Sequence, residues 1–339
     1  MRLLGWFIDW LEAKTERMRK ENGLKLDELN KIYHFGEEIS TEQEARNSED
    51  KLLADPLDLL SRSLLLSYYH RLLLKVGASD AERASLLESY MRHVGWLIEN
   101  MPTSQLHQRL IFSHFLLGKA ESAKVVELWQ VQVYKYPSDP RVLGNFAEYI
   151  RVLDGPAAHA LLLDCHQLEP RNPEWCERLS RICEGGDAIA WAEKWLERSE
   201  RKHRGQALET LAYLHLKAGN LQKANGYAFR LGLGRDCDDK HHSETVRGLV
   251  ALRQNKVYRA GKHLRRAAEV GSTPVLSSFG PSLELAYGLL KVGERKFVLD
   301  YLRACETFWT SAGNRPQIWS HEIEEGKIPA EWLRRFSDG

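Results

Sequence analysis

The stretch LAYLHLKAGNLQKANGYAFRL, residues 211–231, decides the fold of this chain. Small or apolar residues in it follow a fixed spacing, from Ala212 to Ala224, Ala228 and Leu231 at steps of 12, 4 and 3 residues. A step of 12 residues crosses the turn between two helices, whereas steps of 4 and 3 residues stay on one face of the second helix. Small side chains at these positions let the two helices approach closely. The spacing therefore predicts a helical hairpin.

The same spacing recurs along the chain. A second series is Gly248, Ala260, Leu264 and Ala267, a third is Ala286, Val298, Leu302 and Cys305, and a fourth, with its first step one residue shorter, is Ala147, Ala158, Leu162 and Cys165. Proline and glycine residues separate the units at intervals of about 30 to 40 residues, which is the range of helical-hairpin repeats. We predict an all-α fold, a right-handed α-solenoid of about seven antiparallel helical hairpins. Because Cys165 and Cys305 occupy a small-residue position, we expect both thiols in the core.

The predicted array has a flanking segment at each end. We assign residues 1–50 to an N-terminal apolar helix and a polar link, 51–313 to the array, and 314–339 to a C-terminal capping helix and tail. The apolar helix carries Trp6 and Trp10, so it either caps the first repeat, which we favour, or docks on a membrane interface or a partner groove. The polar composition of residues 40–50 predicts a mobile link.

Composition describes a chain that can bury a core. Its 48 Lys and Arg residues nearly balance 47 Asp and Glu residues, and 43% of the chain is hydrophobic. No apolar run reaches the roughly 18 residues that a transmembrane helix needs. Five cysteines without a C-x-x-C pair argue against a disulfide framework and favour a reducing compartment. We therefore expect a cytoplasmic protein.

Several of these segments resemble the tetratricopeptide repeat. Residues 211–224 and 248–267 are similar to its helix–turn–helix signature, and LEPRNP at residues 168–173 resembles the end of a unit. Other stretches are similar to a group of bacterial tetratricopeptide-like proteins of uncharacterised function: residues 93–100, 277–281, 292–301, 308–309 and 326–329. The resemblance implies the fold and a bacterial origin, and it supplies no catalytic residue.

Residues 237–242 combine a thiol, two carboxylates and two imidazoles, with Glu244 close behind. Cys237, His241 and His242 are candidate metal ligands, although the segment lacks the ligand spacing of C-x2-C or H-x3-H sites. The other interpretation, which we favour, makes Asp239 or Ser243 the N-cap of the next helix. We expect no bound cofactor.

Residues 278–281 predict a non-helical insert between two repeats. Gly280 permits tight backbone conformations, and proline suits the first turn of the following helix. Phe279 either fills the core of a rigid turn, which we favour, or lies exposed on a ligand-contacting loop near His241 or His242. In the second case Phe279, His241 and His242 would share a binding surface.

A basic section runs from Glu200 to Pro274, with 15 Lys and Arg residues against 7 Asp and Glu residues. Within it Arg259, Lys262, His263 and Arg266 recur one helical turn apart and form a stripe. Such a stripe is either a solvated helix face or a site for nucleic-acid phosphates or an acidic peptide.

The sequence contains none of the common catalytic or nucleotide-binding motifs. We therefore predict a non-catalytic scaffold whose concave helical surface binds a protein or peptide. The alternative is a nucleic-acid-binding regulator that uses the basic section from Lys202 to Arg266.

Overall fold

The structure is a computed structural model that describes residues 39–75, 79–104, 106–109 and 116–336. Every regular element within these ranges is a helix, which confirms the all-α class for this part of the chain. None of the helices described is both long and apolar enough to cross a bilayer. The predicted N-terminal apolar helix, with Trp6 and Trp10, and residues 337–339 of the tail lie outside the described residues.

The chain divides into two compact units, one ending at Pro170 and the other beginning at Arg171. The division falls inside the predicted array of residues 51–313. The helices of the first unit are α1 (Glu42–Ala54), α2 (Leu59–Leu74), α3 (Asp80–Asn100), α4 (Leu106–Arg109), α5 (Lys119–Lys135), α6 (Pro140–Ile150) and α7 (Gly155–Leu168).

The helices of the second unit follow one another with short turns. They are α8 (Pro173–Ile182), α9 (Gly185–Arg198), α10 (Arg204–Lys217), α11 (Leu221–Gly232), α12 (Cys237–Arg253), α13 (Val257–Ala268), α14 (Pro274–Phe279), α15 (Glu284–Lys291), α16 (Arg295–Cys305), α17 (Arg315–Glu324) and α18 (Ala330–Phe336). Short 3-10 turns span Arg201–His203 and Thr310–Ala312.

The first unit begins with a helix where composition predicted a polar link. Thr41 and Glu44 form a capping box at the start of α1, in which each side chain accepts from the other residue's backbone N–H. This reciprocal cap satisfies two backbone donors that a helix start otherwise leaves open. Ala45 and Leu52 are buried against α2, so the prediction of a mobile link is wrong for residues 42–50.

In the second unit, neighbouring helices along the chain pack against each other from α8 to α13. The residues of the 12, 4, 3 spacing lie at these contacts: Ala212, Ala224, Ala228 and Leu231 are all buried, as are their counterparts from Gly248 to Ala267. Cys165 in the first unit and Cys305 in the second are fully buried, so the prediction of core thiols is confirmed.

Gly248 shows why one slot of the spacing holds glycine instead of alanine. A Cβ atom at this position would lie 2.1 Å from Cδ2 of Leu285 and 3.1 Å from Cβ of His263. Packed carbon atoms stay at about 3.5 Å or more. The side chain of Leu285 on α15 therefore fills the volume that an alanine on α12 would need.

Candidate functional site

Helix α12 brings together most of the residues that the sequence singles out. It begins at Cys237, and its N-cap is Asp236, whose side chain accepts from the backbone N–H groups of Asp238 (2.8 Å) and Asp239 (3.4 Å). Residues 237–242 thus form the first turn and a half of a helix. The predicted caps are wrong, because the hydroxyl of Ser243 instead donates to the carbonyl of Ala228 at 2.6 Å.

His241 and His242 are adjacent in sequence but do not act together. His241 is completely buried, with Nδ1 2.8 Å from the carbonyl of Ala267 and Nε2 2.9 Å from the backbone N–H of Ser282. A carbonyl only accepts and an N–H only donates, so His241 is the neutral tautomer protonated on Nδ1. Burial lowers the pKa of His241 to about 4. His241 therefore joins three chain segments and presents no free nitrogen to a ligand.

The candidate metal ligands are not brought together. Both ring nitrogens of His241 are used, and Nδ1 of His242 lies 3.1 Å from Oε1 of Glu209. Among the residues that the structure describes, no group of three or more His, Cys, Asp or Glu side chains could hold a metal ion. Cys237 is half-exposed at the start of α12.

A row of half-buried polar side chains runs across α10, α12 and α15. We call Glu209, Tyr213, His242 and Glu284 the polar row. Burial raises the pKa of Glu209, which the neighbouring His242 partly offsets. Burial also raises the pKa of Tyr213, with the nearby Glu284 and Glu209 adding to the effect, and burial raises the pKa of Glu284 itself. Glu209, Tyr213 and Glu284 therefore each carry a desolvation cost in their charged form.

The predicted basic stripe on α13 is only partly exposed. His263 is buried and its Nδ1 lies 2.6 Å from Oε2 of Glu244, so this side chain is used in an internal hydrogen-bonded contact. Arg259, Lys262 and Arg266 remain exposed. Lys262 Nζ lies 4.6 Å from the ring centre of the exposed Tyr258.

Phe279 does not fill the core, which corrects the prediction of a plugged turn. It ends α14 and is 83% exposed, while Leu276 of the same helix takes the buried position. Gly280 follows with φ of +84°, and a Cβ there would meet the Trp309 ring at 2.3 Å. The indole of Trp309 therefore occupies the space beneath this turn. Pro281 is buried ahead of α15 instead of starting that helix.

The first unit holds a partly buried polar network that no local sequence pattern indicated. Oε1 of Glu49 accepts from the hydroxyl of Tyr69 (2.8 Å) and Nη2 of Arg92 (2.8 Å), and it lies 3.0 Å from Nε2 of His93. Nδ1 of His93 in turn lies 3.2 Å from Nη1 of the buried Arg62. Burial would raise the pKa of Glu49, but the hydrogen bonds from His93 and Tyr69 hold it below its ordinary value. Since Glu49 and His93 are 44 residues apart, their contact depends on tertiary structure.

No protein-family model matches this chain, and no curated protein is significantly similar to it. The functional assignment therefore depends on the geometry of the described residues.

Proposed function

We propose that the chain is a non-catalytic scaffold of the tetratricopeptide type, a right-handed α-solenoid of about seven helical hairpins that binds a protein or peptide along its concave face. The recurring small-residue spacing and the sequential packing of α8 to α13 support the repeat architecture. In such an array the first helices of successive hairpins lie side by side. Helices α10, α12 and α15 are three of these first helices in the second unit.

The observation that carries this proposal is the polar row on these three helices. Groups with shifted pKa values that packing does not need concentrate at functional sites. The phenol of Tyr213 is protonated at neutral pH and can both donate and accept; a side-chain hydrogen bond with Ser282 uses part of this capacity, and the rest can serve a peptide backbone. Glu209 and Glu284 lie near enough to raise its pKa, and their carboxylates supply further acceptors. Rigid helices that present such groups bind with little ordering cost on the scaffold side.

Site-specific photocrosslinking tests the proposal. A photoreactive phenylalanine analogue replaces Tyr213 in cells that express the chain, and crosslinked products are identified by mass spectrometry. Tyr134, which is 87% exposed on α5, is the matched aromatic control position. We expect one reproducible protein product from position 213 that is absent from position 134 and is reduced at least fivefold by Glu284→Gln, because the substitution removes a charged acceptor. Identical products from both positions, or nucleic acid alone, would contradict the proposal.

A nucleic-acid-binding regulator is the second candidate, and one observation favours it. The exposed Tyr258 stands beside the cations Arg259 and Lys262, a combination that suits base stacking with phosphate contacts. This function requires affinity for single-stranded DNA or RNA that falls steeply with salt and weakens on charge reversal at Arg259 and Arg266. A double reversal that leaves binding unchanged rejects it.

A further inference from the structure

A small basic pocket opens between α11, α12 and α13, apart from the polar row. Its volume is about 240 Å³. Lys240 and Arg247 reach it from α12 and Arg266 from α13, while Phe229 and Leu233 form an apolar wall. Phe229 is 51% and Leu233 70% exposed, so part of this wall faces solvent.

The pocket is lined by three cations, Lys240, Arg247 and Arg266, and one carboxylate, Glu244. Both oxygens of Glu244 already have partners. Oε1 of Glu244 accepts from Nη1 of Arg247 at 2.9 Å, and its Oε2 lies 2.6 Å from Nδ1 of His263. Burial would raise the pKa of Glu244, but the His263 hydrogen bond and the charges of Arg247 and Arg266 hold it below its ordinary value. Glu244 therefore remains ionised and still leaves the pocket with an excess of two positive charges.

The cations retain unused donors. Nε of Arg247 is buried and has no hydrogen-bond partner within the described part of the chain. Among the same residues, neither Lys240 nor Arg266 has a carboxylate within the 4.0 Å of an ion pair. Buried donors in folded proteins nearly always have a partner. The unpartnered Nε–H of Arg247, placed among three cations, therefore indicates a place for an external acceptor.

The size of the pocket limits what that acceptor can belong to. Pockets for drug-sized ligands have volumes of about 300 to 1,000 Å³. A volume of about 240 Å³ suits one side chain with its charged end group, and the guanidinium of Arg247 is well shaped for a carboxylate or phosphate. The apolar wall at Phe229 and Leu233 favours an aliphatic or aromatic residue next to that group.

We infer that this pocket binds the oxyanion of a peptide side chain, a carboxylate or a phosphate, that is flanked by an apolar residue. The inference rests on the proposed function, since it assumes that the partner is a peptide. It adds a second contact, on a different side of α12 from the polar row. Arg247 and Arg266 would hold the oxyanion, Lys240 would supply long-range attraction, and Glu244 would keep Arg247 in position.

The Nε–H resonance of Arg247 in a ¹⁵N correlation spectrum tests this directly, and Arg247→Lys identifies the signal. The probes are three blocked dipeptides, N-acetyl-leucyl-glutamate amide, N-acetyl-leucyl-phosphoserine amide and N-acetyl-leucyl-glutamine amide, together with single-stranded DNA as a ligand of another class. We expect a saturable shift with one or both anionic dipeptides and none with the glutamine dipeptide. Whichever anion saturates at lower concentration identifies the source of the oxyanion.

Two variants complete the test. Arg266→Gln should weaken the anionic dipeptide at least fivefold, whereas Arg265→Gln should leave it unchanged, because Arg265 does not line the pocket and its Nε lies 3.5 Å from Oε1 of Glu269. No saturable shift, an equal shift with the glutamine dipeptide, an equal loss in both variants, or a shift only with single-stranded DNA would overturn the inference. Crosslinking at Tyr213 is independent of this pocket, so a partner captured there with no shift here would reject the pocket and leave the scaffold proposal standing.

Discussion

The imidazole of His241 donates its Nδ1–H to the backbone carbonyl of Ala267 over 2.8 Å, linking the start of α12 to the end of α13. The second nitrogen accepts from the N–H of Ser282. A protonated imidazole carries an N–H on both nitrogens, so its Nε2–H would face the N–H of Ser282 with no acceptor between them. The arrangement therefore requires the neutral ring. The contact makes the second unit sensitive to pH.

We predict that the second unit loses stability as pH falls from about 6.5 toward 4. The pKa of His241 is about 4 in the folded chain and near 6.5 when unfolded, so the unfolded chain binds the extra proton within this window. Above the window His241 has no pH-dependent effect, and across it the loss reaches about 3 kcal/mol. Urea unfolding at pH 7 and pH 4.5 should show a smaller pH dependence in His241→Gln than in the natural chain. Equal pH dependence in both would contradict the prediction.

We predict that Gly248→Ala destabilises the second unit by about 1–3 kcal/mol, because the new methyl group would overlap Leu285. Gly226→Ala is the matched control, since among the described residues no atom beyond its immediate helical backbone lies within 4 Å of its Cβ position, on the exposed face of α11. That change should be neutral or stabilise by up to about 1 kcal/mol, as alanine favours a helix more than glycine does. Thermal unfolding measures both, and equal effects would contradict the packing argument.

We predict that Asp236→Ala destabilises α12 by about 0.5–2 kcal/mol through loss of the N-cap. The comparison variant is Asp239→Asn, because the sequence alone suggested Asp239 as the cap. This substitution removes the charge and keeps the shape of the side chain. Burial and the charge of Asp236 raise the pKa of Asp239, so losing its charge should cost less. Denaturant unfolding of the two variants decides between the positions, and a larger loss from Asp239→Asn would contradict the assignment.

We predict that thiol reagents modify Cys237 much faster than Cys305 in the folded chain. Burial raises the pKa of Cys305 to about 12, so about one thiol in ten thousand is ionised at pH 8, and its sulfur is inaccessible. Cys237 is half-exposed at the start of α12. Mass spectrometry after brief labelling locates the modified residues, and Cys237→Ser should remove the fast product. Rapid labelling of Cys305 in folded protein would show that its core position is wrong.

Local spacing predicted the buried positions because helical packing repeats with a fixed period. Ala224, Ala260 and Cys305 are all buried for that reason. Cys183 follows Cys176 by seven residues, a spacing typical of one helix face, yet it is only half-buried because α8 ends at Ile182. Periodicity indicates a helix face but does not say where the helix stops.

The candidate sites depend on contacts that no local pattern encodes. Glu209 meets His242 across two helices, and Glu244 meets His263 across another pair. Asp236, Asp238 and Asp239 are chemically similar N-caps, so composition alone could not choose among them. Phe279 has a core-forming side chain, and only the placement of Leu276 and Trp309 shows that the core is already filled.

The close contact between Leu285 and Gly248 also limits which hairpins of the chain could be exchanged for one another. Ala212 and Gly248 hold equivalent places in consecutive hairpins, yet only glycine leaves room for Leu285. A transplant of residues 204–232 in place of residues 240–268, which keeps Ala212 in register with Gly248, would put the alanine methyl group into the volume that the Leu285 side chain occupies. Shuffling these hairpins therefore requires a smaller residue at position 285 as well, because neighbouring units have specialised to each other and are not interchangeable modules.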